Sequence, residues 1–124
     1  MTGIVIDASV TLSWCFPDEQ TPLSLNVLDR LKSGEQALVP AFWSLEVLNT
    51  LLLGERKGRI NPKQTKAFLD ALRVLSPAID YASLEQVAPY DALYVELAQR
   101  SGCPLATLDQ PQRQAARALG VHCL

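Results

Sequence analysis

Asp7, Glu46, Asp91 and Asp109 are the residues whose surroundings point to chemistry. Asp7 directly follows the apolar run Ile4-Val5-Ile6, and Asp109 follows Pro104-Leu105-Ala106-Thr107-Leu108, so each reads as an acid at the carboxyl end of a buried β-strand. Glu46 and Asp91 fall in the opening turns of two apolar-periodic segments, Ala41 to Lys57 and Asp91 to Arg100. In an open α/β sheet, strand carboxyl ends and the helix amino ends that follow them share one edge, where ligands bind. Carboxylates gathered there repel one another unless a cation joins them. A hard divalent ion that takes oxygen ligands, Mg²⁺ or Mn²⁺, suits such a set.

Each of these positions also has a purely structural explanation. Asp91 and Asp109 stand where helices begin, as capping residues do. Glu46 sits among Leu45, Val47 and Leu48 in a segment that reads as largely buried, and Asp7 follows three apolar residues; a buried carboxylate at either place needs a partner. Ser9 and Thr107 each lie two residues from an acid, so their hydroxyls can orient a carboxylate or a metal-held water. An N-cap for Ser9 and a strand-end hydroxyl for Thr107 are the alternatives. Asn49, three residues beyond Glu46, shares its helical face.

The elements that must position these residues alternate. Thr2 to Asp7 reads as a strand, Ser9 as a cap for a turn running to Trp14, and Pro17-Asp18-Glu19 as a possible start of the next helix, which ends at Lys32-Ser33-Gly34. Ala37 to Val39 is a second strand. Phe42 to Lys57 is a helix with a stripe of Leu45, Leu48, Leu52 and Leu53. Asn61-Pro62 opens another helix, to about Leu75. Pro77 to Tyr81 is a third strand, and Ser83 to Val87 allows a turn or two of helix. Asp91 to Arg100 is helical, Leu105 to Leu108 a strand, Gln112 to Leu119 a helix, and Val121 to Leu124 a final edge strand. The pattern predicts an α/β fold with a parallel sheet covered on both faces.

Composition narrows the classes. A chain of 124 residues is expected to form one domain over residues 1–124. With 48% hydrophobic and 19% charged residues it has the balance of a globular protein, and a net charge of −2 argues against nucleic-acid binding through bulk charge. Neither a membrane span nor a signal peptide is apparent, so a cytoplasmic location is expected. Cys15, Cys103 and Cys123 are odd in number and lack C-x-x-C spacing, which indicates neither zinc nor a disulfide framework. His122, the single histidine, leaves little basis for a Ser-His-Asp triad.

Taken in order, Val5-Ile6-Asp7-Ala8-Ser9-Val10, Leu45-Glu46-Val47-Leu48-Asn49, Tyr90-Asp91-Ala92-Leu93-Tyr94 and Ala106-Thr107-Leu108-Asp109 resemble the motifs of PIN-domain nucleases, and most closely those of VapC-type toxins from bacterial type II toxin–antitoxin pairs. No single motif is specific; four in this order are, and the resemblance runs from the first strand to Val121. It implies an α/β/α sandwich, a Mg²⁺- or Mn²⁺-dependent endoribonuclease, and a homodimer held inactive by a small antitoxin protein. Carried over by position, the acidic site is Asp7, Glu46, Asp91 and Asp109, supported by Asn49 and Thr107. The implied mechanism is hydrolysis of an RNA phosphodiester, the ions polarising the phosphate and acidifying a water that attacks in line.

One departure from that family stands out. A full helix and loop are expected between the third strand and the Tyr-Asp-Ala motif, yet only about ten residues separate Asp80 from Asp91. At about 3.3 Å per residue these reach on the order of 30 Å, so the chain can close, but the third strand is expected to lose cover. Arg56, Lys57 and Arg59, with Lys63 and Lys66 beyond them, are the candidates for RNA phosphates, and Trp14 and Trp43 either line a groove or pack internally. A catalytically impaired PIN-like binding or dimerisation module is the alternative function. Other strand-end-Asp enzymes fit less well: Ser9 stands where a haloacid-dehalogenase-type phosphatase needs a second Asp, and no glycine-rich turn follows Asp7 for a P-loop.

Overall fold

The computed structural model describes residues 3–85 and 90–124, and the side chains of residues 85, 90 and 91 lie outside that description. Thr2, Gln86 and Val87, which the sequence places in elements, therefore fall outside it as well.

Four parallel strands among these residues form a sheet in the order β3-β2-β1-β4: β1 (Gly3–Ile6), β2 (Gln36–Pro40), β3 (Ala78–Asp80) and β4 (Leu105–Ala106). Val5 pairs with Leu38 on one side and Leu105 on the other, which makes β1 central. Ile4, Val5 and Ile6 are fully buried, the continuous apolar run that a parallel strand covered on both faces requires. Helices flank the sheet: α1 (Ala8–Ser13), α2 (Pro22–Lys32), α3 (Trp43–Arg56), α4 (Pro62–Leu75), α5 (Tyr90–Ser101) and α6 (Gln110–Ala118). The result is an α/β/α sandwich, as the alternation of elements predicts.

Local chemistry sets the helix starts. Thr21 and Asn61 each accept from the backbone N–H three residues on, at 3.0 and 2.8 Å, while Ser24 and Gln64 return the bond; Pro22 and Pro62 follow the caps. Pro17–Glu19 forms a separate 3-10 turn instead of opening α2, because the Thr21 box restarts the chain four residues later. The cap of α1 is Asp7, whose Oδ1 accepts from the Val10 N–H at 3.0 Å; Ser9, expected in that role, lies inside the helix.

The leucine stripe of α3 faces the other way from the reading its spacing invites. Trp43, Val47, Leu51 and Gly54 are the buried face, whereas Leu45, Leu48, Leu52 and Leu53 are exposed, Leu45 at 70%. The helix is apolar on more than one side, so periodicity alone does not select the packed one. Gly54 does: a Cβ there would meet Phe16 at 3.1 Å and Ile60 at 3.3 Å, so this face can approach its neighbours only without a side chain. Trp43 is an internal anchor. Its indole N–H donates to Thr11 Oγ1 at 3.0 Å, and that hydroxyl donates to the Asp7 carbonyl at 2.8 Å.

The short connection after β3 closes through polar bonds. Tyr81–Glu85 is a 3-10 turn, in which the buried Ser83 hydroxyl accepts from the Ala41 N–H at 2.9 Å and donates to the Asp80 carbonyl at 2.7 Å. Arg100 on α5 reaches Asp80 at 2.5 Å and Glu96 at 2.5 Å, tying that helix to the end of β3. Ile79, Tyr81 and Leu84 remain exposed, as the missing cover predicts. The chain end falls short of the expected edge strand: Leu105 and Cys123 form a single parallel bridge. β4 also stops at Ala106 rather than Leu108, since the chain turns there to start α6. Cys15, Cys103 and Cys123 are free thiols, each partly buried. No helix among the described residues is long and apolar enough to cross a membrane.

Ser83→Ala removes the acceptor of the Ala41 N–H in a closed turn. It is expected to cost about 1–3 kcal/mol, the penalty for orphaning a buried polar group, measured by urea denaturation.

Candidate active site

Asp7 is the centre of the polar interior. It is 4% exposed, at the carboxyl end of the central strand, and both of its oxygens are engaged twice. Oδ1 accepts from the Ser9 hydroxyl at 2.7 Å and the Val10 N–H at 3.0 Å. Oδ2 accepts from the Thr107 hydroxyl and from the Gln112 amide, the latter at 2.8 Å. Burial pushes the Asp7 carboxyl above its ordinary pKa, and the donors Thr107, Val10, Ser9 and Gln112 pull it back without cancelling that rise.

These donors join two strand ends. The Ser9 oxygen also accepts from the Leu108 N–H, and the Thr107 oxygen from the Asp109 N–H, each at 3.0 Å. Asp109, half-buried, caps α6 by accepting from the Gln112 N–H at 3.0 Å. The β1–α1 and β4–α6 junctions thus form one network, which places Asp109 within a few bonds of Asp7.

Glu46 enters from α3. It is partly buried, and its Oε1 accepts from the Tyr94 hydroxyl at 2.8 Å. Burial, together with the negative charges of Glu46 and Asp7, raises the Tyr94 pKa far above its normal value, so the ring remains a neutral donor. Tyr94 therefore links Glu46 on α3 to α5. Asp91 lies in the first turn of α5, three positions before Tyr94; its side chain falls outside the described residues. Asn49 is exposed on α3 and takes part in no hydrogen bond with this network among the described residues.

Of the basic residues, Arg56 and Lys57 are exposed. Arg59 is occupied: it pairs with Asp18 and Glu19, both at 2.9 Å, and lies 4.2 Å over the Phe16 ring. Lys66 pairs with Asp70 at 2.9 Å. A cleft of about 680 Å³ lined by Trp14, Phe16, Asp18, Arg59 and Phe68 includes none of Asp7, Glu46 and Asp109, so concavity alone does not locate the chemistry.

Tyr94 and Gln112 were not legible as members of this network. Tyr94 reads as an aromatic of an apolar helix. Gln112, at the third helical position after an Asp cap, reads as a capping-box residue that would bond back to the cap; its side chain turns to Asp7 instead.

The acids supply the hard oxygen donors that Mg²⁺ or Mn²⁺ prefers, so in residue type the site fits a divalent ion. Among the described residues no three Asp, Glu, His or Cys side chains are grouped closely enough to hold a metal. A carboxylate offers about four lone-pair positions, and at Asp7 the four donors occupy them. Asp7 therefore engages a metal only by releasing a donor.

The sequence model of one protein family, described as PIN domain, matches residues 4–118. A solved structure of a domain of a functionally unknown protein from Methanocaldococcus jannaschii DSM 2661 has a TM-score of 0.61 and 16% identity, covering 100% of this chain and 90% of that one. At that identity the likeness is one of fold. No curated protein matches the chain significantly.

A carboxyl with a raised pKa in the folded state contributes stability that is fully present below its unfolded pKa and is lost as pH rises through the folded one. Asp7→Asn cannot ionise, and the rotatable Ser9, Thr107 and Gln112 groups can accommodate its amide. In divalent-free buffer the two proteins are expected to melt alike below about pH 4, with wild type falling progressively behind as pH approaches 7. A constant offset in melting temperature across the series would contradict this.

Proposed function

The chain belongs to the PIN-domain family, whose members are generally nucleases, and from that premise we propose that it is a Mg²⁺- or Mn²⁺-dependent endoribonuclease, the toxin of a type II toxin–antitoxin pair. The observation that carries the reading is the buried Asp7 carboxylate at the end of the central strand. It is held by hydroxyls and amides and, among the described residues, meets no cationic side chain. An anion excluded from water without a cation beside it is a place where a divalent ion gains.

Asp7, Glu46, Asp91 and Asp109 are the proposed ligands. A bound ion would polarise a phosphodiester and acidify a water. The chain's own contribution is orientation: Ser9 and Thr107 fix the plane of the Asp7 carboxylate, and Tyr94 fixes Glu46. Arg56 and Lys57 are better placed than Arg59 to contact RNA phosphates, since Arg59 is already paired with two acids. The exposed leucines Leu45, Leu48, Leu52 and Leu53 suit the expected homodimer or an antitoxin segment.

A second reading is favoured by one observation, the complete occupancy of Asp7 by donors. It is that of a PIN-like binding or dimerisation module with impaired catalysis.

Cleavage of a structured RNA pool separates the two. The nuclease reading expects cutting with Mg²⁺ or Mn²⁺ that EDTA stops and Asp7→Asn reduces to background. A folded wild-type protein that does not cut favours the binding module. For the assembly, Leu48→Glu combined with Leu52→Glu is expected to convert a dimer to a monomer in light scattering, while the helical circular dichroism is kept. A wild type already monomeric at working concentration would contradict the dimer.

A further inference from the structure

Four donors hold Asp7, and they are not equally committed to the fold. The Val10 N–H belongs to the first turn of α1. Ser9 and Thr107 each carry a second bond, from the Leu108 and Asp109 N–H groups, that joins the two strand-end loops. Releasing any of these three opens a helix start or a loop. Gln112 differs. Its backbone N–H is already satisfied by Asp109, so the start of α6 does not depend on its side chain. Among the described residues its Nε2 donates only to Asp7 Oδ2, at 2.8 Å, and to Thr107 Oγ1, at 3.0 Å. The residue is 7% exposed, and its amide ends a side chain with several rotatable bonds.

We propose that Gln112 is a removable plug on the metal position. Its amide occupies the lone pair of Asp7 Oδ2 that a divalent cation would take, so amide and cation exclude each other and Gln112 sets the ion concentration at which the site loads. The inference rests on the metal-nuclease reading and adds to it a residue that governs occupancy. Gln112 is here a positioning residue acting through Asp7. Because a hydrogen bond to a charged group must be given up before the ion binds, removing the competitor is expected to tighten ion binding about tenfold, equivalent to about 1.4 kcal/mol.

Mn²⁺ binding to the full chain, measured by titration calorimetry, tests this in wild type, Gln112→Leu, Gln112→Glu and Asp7→Asn. Gln112→Leu removes the amide at similar volume and is expected to bind Mn²⁺ about tenfold more tightly than wild type. Gln112→Glu replaces a donor with an oxygen ligand and is expected to gain at least as much, with a larger rise in melting temperature on Mn²⁺ addition. The second variant keeps the test decisive should the first fail to fold, and a merely structural role for Gln112 would weaken binding rather than strengthen it. Uptake that Asp7→Asn abolishes but neither Gln112 substitution strengthens leaves the metal-nuclease reading standing and overturns this proposal. No uptake by wild type or either Gln112 variant overturns both.

Discussion

A carboxylate held in the dry end of the central strand is the constraint around which this molecule is arranged. Asp7 is excluded from water and carries a charge that burial disfavours. The chain meets that cost from two junctions far apart in sequence, β1–α1 and β4–α6, whose hydroxyls and amides all turn towards the same two oxygens. The β4–α6 turn is fixed in the same way, because the hydroxyls that serve Asp7 also accept the Leu108 and Asp109 N–H groups. Trp43 and Thr11 extend the network to α3 through the Asp7 carbonyl, and Tyr94 ties Glu46 of that helix to α5.

Much of this arrangement is legible in the sequence where local chemistry decides. Asn61-Pro62 announces its helix, and Ile4-Val5-Ile6 announces a strand buried on both faces, whereas the Thr21-Pro22 start of α2 was passed over for Pro17. Asp7 could be singled out because an acid after three apolar strand residues has few casual explanations. Decisions made by tertiary packing were less visible. The outward turn of Leu45 and Leu48 depends on the close approach of Phe16 and Ile60 to Gly54, which no helical period encodes. The shortness of β4 follows from the loop that must bring Thr107 back to Asp7. Gln112 was hidden for a related reason: its position obeys a local capping rule, while its partner lies 105 residues away.

The same donors that make a buried Asp7 tolerable compete with what a nuclease asks of it. A carboxylate saturated by four hydrogen bonds is well ordered and well placed, but it is not free to coordinate. A site of this kind balances folding against function in one group. The elements bound most firmly to the fold orient the carboxylate, and the least committed donor is left to decide access. The end of β3 shows a comparable economy, with Ser83 tying it to the chain after β2 and the Arg100–Asp80 pair tying it to α5.

The central claim is that Asp7 anchors a divalent ion shared with acids from α3, α5 and the start of α6. Anomalous diffraction from crystals of the protein grown with Mn²⁺ tests it most directly. The account predicts a manganese peak at coordination distance from Asp7 and at least one of Glu46, Asp91 and Asp109, with the Gln112 amide moved off Oδ2. A peak confined to other acids such as Asp18 and Glu19, or none while all four donors remain on Asp7, would contradict it.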